Sequence, residues 1–365
     1  MGTGLVKNFN AFANYVNASL SKHLKTRNEI KNINRKKNLY ESIVLSSEQE
    51  KEIQNLFLKS YGKTISTKWH RLYTSYTGVF CANYFPEILF STELEPITNP
   101  DKTAMFLGDK NWLPILFGGL NVHIPETYLC CINGIIFDKD RNPITKEKAV
   151  AILGFYKEFV IKKSIDTSSG RDVLIVHNHA GNSMDYLSKF GNNYVVQETI
   201  KQSKELSLLN PTSINTFRVM TYFCDGEIFV CPVALRMGRA HADRDNIHYG
   251  GISIGVNSDG TLKETAFSEY GDRFLTHPDT GITFKGYLIP EAGEMLRETA
   301  KKLHCNVPYL GILSWDLTID ENGHISLIEV NTIGQSAWFP QMVNGEPLFG
   351  NNTGKMLSRI KTKHR

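Results

Sequence analysis

Residues 314–331 read S-W-D-L-T-I-D-E-N-G-H-I-S-L-I-E-V-N, two short strands around a turn. Trp315, Leu317 and Ile319 alternate with Asp316 and Thr318, Glu321-Asn322-Gly323 supplies the reversal, and Ile325, Leu327, Ile328 and Val330 follow it. Side chains two apart on a strand share a face, so Glu329 and Asn331 lie together with Val330 opposite. A hairpin brings Asp316 beside them. Two carboxylates and an amide oxygen are hard ligands, the kind magnesium takes while holding a nucleoside triphosphate. Two other readings stand beside this one. The run from Thr318 through Asp320 and Asn322-Gly323 to Glu329 is close to the register of a calcium loop, although a threonine stands where the first acid belongs. A plain solvated hairpin also gathers Asp, Glu and Asn for local reasons.

The chain of 365 residues is long enough for two or three domains, and 41% apolar and 21% charged residues are ordinary for a soluble globular protein. No apolar run approaches the roughly 18 residues that a membrane span requires, and the N-terminus carries no apolar signal core. Six cysteines, at 81, 130, 131, 224, 231 and 305, show no C-x-x-C spacing, so free thiols in a reducing cytoplasm are expected. The net charge is +4, but residues 1–40 hold eight Lys or Arg against a single acid, Glu29. Leu5, Phe9, Phe12, Val16 and Leu20 recur there at helical spacing. Such a helix either packs on its own protein with a solvated basic face, the simpler reading, or makes peripheral contact with an anionic membrane. Nucleic acid is not expected, because aromatic and basic residues do not interleave on a defined module.

Upstream of the hairpin, a helix is expected over 47–62, a linker near 90–100, and a helix from Asp101 through Asp109-Lys110 to Ile115. A helix over 146–156 precedes a strand over 158–163 that ends in Lys162-Lys163. A Ser/Gly loop containing Ser169 and Gly170 follows, then a strand over 173–177. A lysine at a strand end before small residues suits phosphate, since the ammonium is a point charge and backbone N–H groups can approach oxygen. A strand over 194–200 carries Gln197 and Glu198. A hairpin over 215–224 and 227–236, turning at Asp225-Gly226, places Arg218 and Arg236 inside otherwise apolar strands. A buried arginine needs a partner, either a core acid or a carboxylate or phosphate ligand. Asp243 and Asp245 between His241 and His248 raise zinc, but no third strong ligand lies nearby. A helix over 291–303 opens at Pro290, and residues 355–365 read as a frayed basic tail.

Taken in order, Asp109-Lys110, Lys162 with its Gly170 loop, Gln197-Glu198, Arg218, Arg236, Asp316 and Glu329-x-Asn331 resemble the ATP-grasp superfamily over roughly residues 100–335. The segments 213–218 and 250–257 look most like its sugar-transfer-associated branch. The resemblance implies an α+β ATP-grasp fold, with nucleotide held between a lid subdomain and a C-terminal antiparallel-sheet subdomain. The regions are then 1–100, basic and helical; 101–200, lid and lead-in; and 201–365, with the metal site. It implies ATP on Lys110, Lys162, Ser169, Gly170, Gln197 and Glu198, magnesium on Asp316, Glu329 and Asn331, and Arg218 and Arg236 on the transferring group. The activity implied is an ADP-forming carboxylate–amine ligase working through an acyl phosphate, on small-molecule carboxylate and amine substrates in cell-surface polysaccharide assembly. A small-molecule kinase on the same site, or a basic membrane-associated adaptor without catalysis, are the rival expectations.

Overall fold

The structure is a computed structural model that describes residues 2–165, 173–177, 183–240 and 245–363. The chain divides into two compact units, Met1–Pro100 with Gly334–Arg365, and Asp101–Ile333. The linker expected near 90–100 is instead helical through Thr98, with Phe90, Leu94 and Glu95 buried. Residues 334–365, assigned by sequence to the third region, fold instead with the first hundred.

The first unit is helical. Ser47–Ser60 opens on a capping box in which Ser46 Oγ accepts the Gln49 N–H at 3.2 Å and Gln49 Oε1 accepts the Ser46 N–H at 2.9 Å. Ile53 and Phe57 line its buried face, and Lys68–Thr77 buries Trp69, Leu72, Tyr73 and Tyr76. The returning segment joins this core through Trp338–Asn344, packed on Lys68–Thr77, and Thr353–Lys363, packed on Ser47–Ser60. The expected frayed tail is therefore corrected: Met356, Leu357 and Ile360 fall at helical spacing and are buried. Two buried acids bind the segment where it enters. Glu95 Oε1 accepts the Gln335 N–H at 2.9 Å, and both Glu87 oxygens accept the Ala337 N–H at 3.0 and 3.3 Å.

The second unit is α+β, with two antiparallel sheets. The smaller contains β1 (Thr127–Ile132), β2 (Ile135–Asp138), β3 (Pro143–Ile144), β4 (Glu158–Lys163), β5 (Val173–His177) and β6 (Tyr194–Gln197), in the order β3-β2-β1-β6-β4-β5 among the described residues. Its apolar side packs Leu129, Phe159, Ile161 and Val196 with Ala149 and Leu153 of the helix Lys146–Leu153.

The larger sheet holds β7 (Thr216–Cys224), β8 (Glu227–Val230), β9 (Val233–Met237), β10 (Ile252–Val256), β11 (Ala266–Phe267), β12 (Arg273–Phe274), β13 (Ile312–Ile319) and β14 (Ile325–Asn331). Its order is β12-β11-β10-β9-β7-β13-β14, with β8 also on β7. The single strand expected over 227–236 is two, because Pro232 lacks the N–H a ladder needs, and the chain re-enters beside the other end of β7. One sheet face is apolar: Phe217, Val219, Leu235, Trp315, Leu317 and Val330 pack with Leu296, Ala300 and Leu303 of the helix Glu294–Cys305. At about 25 cal/mol per Å² of buried apolar surface, this layer is the chief reason the sheet holds its register.

Candidate active site

The opposite face of the larger sheet carries the charges. Strand alternation puts Thr216 and Arg218 of β7 on this face, and the register pairs Thr216 with Arg236 of β9 and Arg218 with Asp316 of β13. Asp316 pairs in turn with Glu329, and Ser314 with Asn331, on β14. Between Asp316 and Leu317 the register slips, since Leu317 faces Leu327 and leaves Ile328 as an extra residue. That bulge lets Leu327 and Val330 both face the core while Glu329 turns to Asp316. Without it, strict alternation would set Glu329 on the same side as Leu327.

These side chains form a connected, buried cluster. Arg218 donates from Nε to Asp316 Oδ1 at 2.6 Å and from Nη2 to Oδ2 at 3.2 Å, the two-pronged geometry that suits a guanidinium and a carboxylate. Arg236 Nη2 reaches the same Oδ2 at 3.2 Å, and Asn331 Nδ2 reaches it at 3.4 Å. Burial works to raise the Asp316 carboxyl, but Arg218 and Arg236 outweigh it and hold its pKa below the ordinary value. Burial likewise opposes the charge on Arg236, and Asp245, Asp316 and Glu329 more than offset it. Of the two sequence readings of these arginines, the structure shows the core-acid one: both are ion-paired with Asp316, the acid expected to hold the metal.

One lysine meets Glu329 from outside the sheet, and a second lies in the field of both. Lys110, in the turn Lys110–Trp112, is buried, with Nζ 2.9 Å from Glu329 Oε1. The helix expected to run through it breaks at Leu107, and Asp109 caps the new turn by accepting the Asn111 N–H at 3.0 Å. The Lys110 backbone N–H donates to Ser164 O at 3.0 Å, tying this turn to the end of β4. Lys162 on β4 is also buried. Burial, and then the neighbouring Lys110 charge, push its pKa down to about 8, with Glu329 acting in the opposite sense.

Gln197 and Glu198 stand apart from this cluster. The Gln197 amide is buried and donates to Pro125 O and Thr127 Oγ1, both at 3.2 Å. Glu198 accepts from the Glu126 N–H at 2.9 Å and lies 2.8 Å from His123 Nε2. The other His123 nitrogen meets Ser326 Oγ at 2.8 Å, so this histidine bridges the end of β6 and the start of β14. Ser169 and Gly170 lie outside the described residues.

Sequence reasoning missed Thr216 and weighed Asp245 only as a zinc ligand. Arg236 donates from Nε and Nη2 to Thr216 Oγ1 at 3.0 and 2.6 Å, Thr216 donates to Asp245, and Asp245 Oδ2 is 3.4 Å from Arg236 Nε. The Asp245 carboxyl is buried, which raises its pKa, with Arg236 and Thr216 pulling the other way. The zinc reading gives way to this arrangement, for His248 turns to Glu269 at 2.6 Å, and His241 and Asp243 lie outside the described residues. The calcium reading gives way too. Thr318 Oγ1 is buried against Asn215 O, and Asp320 accepts two N–H groups of its own turn, from Asn322 and His324. Among the described residues, no three His, Cys, Asp or Glu side chains form a metal-holding group. Asp316, Glu329 and Asn331 do place two carboxylates and an amide on one edge of one face, an all-oxygen set whose chemistry fits magnesium.

A family model described as sugar-transfer associated ATP-grasp matches residues 89–355. No curated protein matches the chain. Among solved structures it is similar to the D-cycloserine synthetase DcsG, at 12% identity over 73% of each chain with a TM-score of 0.44. It is also similar to the VanG D-Ala:D-Ser ligase from Enterococcus faecalis, at 16% identity over 74% of this chain and 63% of that one, TM-score 0.41. A third is the biotin carboxylase domain of Hydrogenobacter thermophilus 2-oxoglutarate carboxylase, at 15% identity over 71% and 46%, TM-score 0.43. The chain spans about half the length of the first structures it matches, between 45% and 52%. With the family model reaching from the end of the first helical region to the last helix, and with its α+β architecture, the chain belongs to the sugar-transfer-associated ATP-grasp family.

Proposed function

We propose that the protein is an ATP-dependent, ADP-forming carboxylate–amine ligase acting on a sugar acid or amino acid in cell-surface polysaccharide assembly. The observation that carries this reading is the Lys110–Glu329 ion pair, with the buried Lys162 in the field of both, beside the Arg218–Asp316–Arg236 cluster. Positive charge from two separate segments meets an oxygen-rich strand edge, which is the arrangement a bound triphosphate needs. The family's sugar-transfer association supports the substrate class. Six free thiols and an ATP-consuming reaction fit the cytoplasm.

In this reaction a substrate carboxylate oxygen attacks the terminal phosphorus of ATP, the bond to the bridging oxygen breaks, and ADP leaves. An amine then attacks the acyl carbon of the acyl phosphate, inorganic phosphate departs with the C–O electron pair, and the amine sheds a proton. No protein nucleophile is required. Lys110 and Lys162 neutralise charge on the phosphates, and Arg236 and Arg218 steady the transferring group. Gln197 and Glu198 flank the adenine. Asp316, Glu329 and Asn331 would hold Mg2+, which when bound neutralises phosphate oxygens. Losing one such charge should slow turnover about a hundredfold or more.

The test is ADP release, with mass-spectrometric product identification, screened over uronic acids and amino acids with candidate amines. An amide product supports the ligase, and a phosphate ester identifies a small-molecule kinase instead. Glu329→Gln and Lys162→Ala turning over at the wild-type rate would reject the site.

A further inference from the structure

The N-terminal helix Gly2–Arg35 presents two different sides. Each residue advances about 100° around a helix, so Lys22, Lys25, Glu29, Ile33 and Lys36 fall along one side. That side is docked on the first unit. Lys22 Nζ lies 3.1 Å from Glu93, Lys25 Nζ lies 3.8 Å from Glu95, Ile33 is buried, and the Lys36 ammonium sits 3.6 Å above the Trp338 ring. Val16, Leu20, Leu24, Arg27, Lys31 and Arg35 follow the opposite side at steps of three and four. Val16, Leu20 and Leu24 are 44%, 56% and 50% exposed, and the three basic residues are exposed as well. No acid occurs in residues 1–28 of the sequence.

We propose that this outer row is a docking surface for an anionic lipid membrane. Three exposed aliphatic side chains in a row need an apolar medium, which nucleic acid does not offer. The basic residues that follow need anions, which the same row on a second copy of the chain does not offer: aligned parallel, Arg27, Lys31 and Arg35 would face one another. An anionic bilayer offers both, with an acyl boundary for Val16, Leu20 and Leu24 and headgroups for Arg27, Lys31 and Arg35. The polarity changes along the helix, so its amino-terminal part enters more deeply and the part nearest the helical unit stays at headgroup level. The inner basic residues take no part, since Glu93, Glu95 and Trp338 already hold them.

The experiment is co-sedimentation of the full chain with phosphatidylcholine vesicles, with and without one part in three of phosphatidylglycerol. The wild type should bind only the anionic vesicles and should be released as salt rises. Leu20→Ser with Leu24→Ser, and separately Arg27→Glu with Lys31→Glu, should each weaken binding at least about tenfold. All four positions are exposed, so circular dichroism and ADP release should match the wild type. Failure of the wild type to bind anionic vesicles overturns the proposal, as does undiminished binding by both variant pairs. A concentration-dependent dimer abolished by the leucine pair, without lipid binding, assigns the row to self-association and overturns it equally. None of these outcomes bears on the ligase reading, which residues 16–35 do not enter.

Discussion

Arg218 and Asp316 face one another across β7 and β13 and are joined by two hydrogen bonds, of 2.6 and 3.2 Å, with both side chains buried. Asp316 is thus the common anion of two guanidiniums and, on its other flank, the cross-strand neighbour of Glu329. Its charge keeps two buried cations satisfied. Asp316→Asn should therefore destabilise the second unit by about 3–5 kcal/mol, the usual effect of removing one partner from a buried pair. Urea unfolding followed by tryptophan fluorescence, with Trp315 next to the substitution, reads this directly. A loss under about 1 kcal/mol, the range of an exposed pair, would contradict the geometry.

Lys162 carries a pH prediction. Burial and Lys110 bring its pKa down to about 8, so its ammonium begins to lose its proton just above neutrality. Triphosphate favours the charged lysine. Affinity for MgATP should then hold steady below about pH 8 and weaken above it, approaching tenfold per pH unit. Lys162→Arg stays charged throughout and should flatten the profile. Calorimetric titrations across this range decide it, and identical slopes for the two proteins would count against it.

Asp245 should act through Arg236. The triangle of Arg236, Thr216 and Asp245 fixes the guanidinium at Nε and at Nη2, the nitrogen that also meets Asp316. Asp245→Asn should slow ADP release about tenfold or more with little change in KM for ATP, since orientation and not binding is lost. Added to Arg236→Lys, the same change should cost little further, because residues in contact are not additive. Full additivity in that double-mutant cycle would mean that the two act independently.

Glu87 gives a prediction for the helical unit. Burial, reinforced by Glu29 and Glu95, raises its carboxyl well above the ordinary value, against the pull of the Ala337 N–H. A raised folded-state pKa means that the folded chain keeps a proton which the unfolded chain releases. The contribution of Glu87 is then fully present below the ordinary carboxylate range, about 4.3, and is lost as pH rises toward its raised value. Glu87→Gln retains an acceptor for Ala337, so it should raise Tm near neutral pH and leave it nearly unchanged at about pH 4. Thermal melts at the two pH values check the sign.

Much of the second unit was legible because its strands alternate. Glu329 and Asn331 were placed on one face by period-two spacing and Asp316 beside them by a hairpin, and Arg218 and Arg236 stood out as charges in apolar runs. What could not be read was the partner of each. Whether Arg218 meets Asp316 or a ligand depends on which strands are neighbours, a long-range property that neither strand encodes by itself. The adjacent Leu327 and Ile328 break the alternation, and this was the local trace of the bulge that turns Glu329 toward Asp316. The pairing of Asp245, weighed in sequence only for zinc, was hidden because Thr216 and Arg236 lie on two strands and Asp245 on neither. Lys110 was the opposite case, ordinary by composition and marked only by its place in the family order.

The helical unit is built from both ends of the chain, and this sets the order in which the protein can be completed during synthesis. Residues 101–333 leave the ribosome as one uninterrupted block, and both sheets can close as soon as Asn331 has emerged. Ser47–Ser60 and Lys68–Thr77, made earlier, must wait for Thr353–Lys363 and Trp338–Asn344 to cover them. These earlier-made helices are thus the last to reach their final fold.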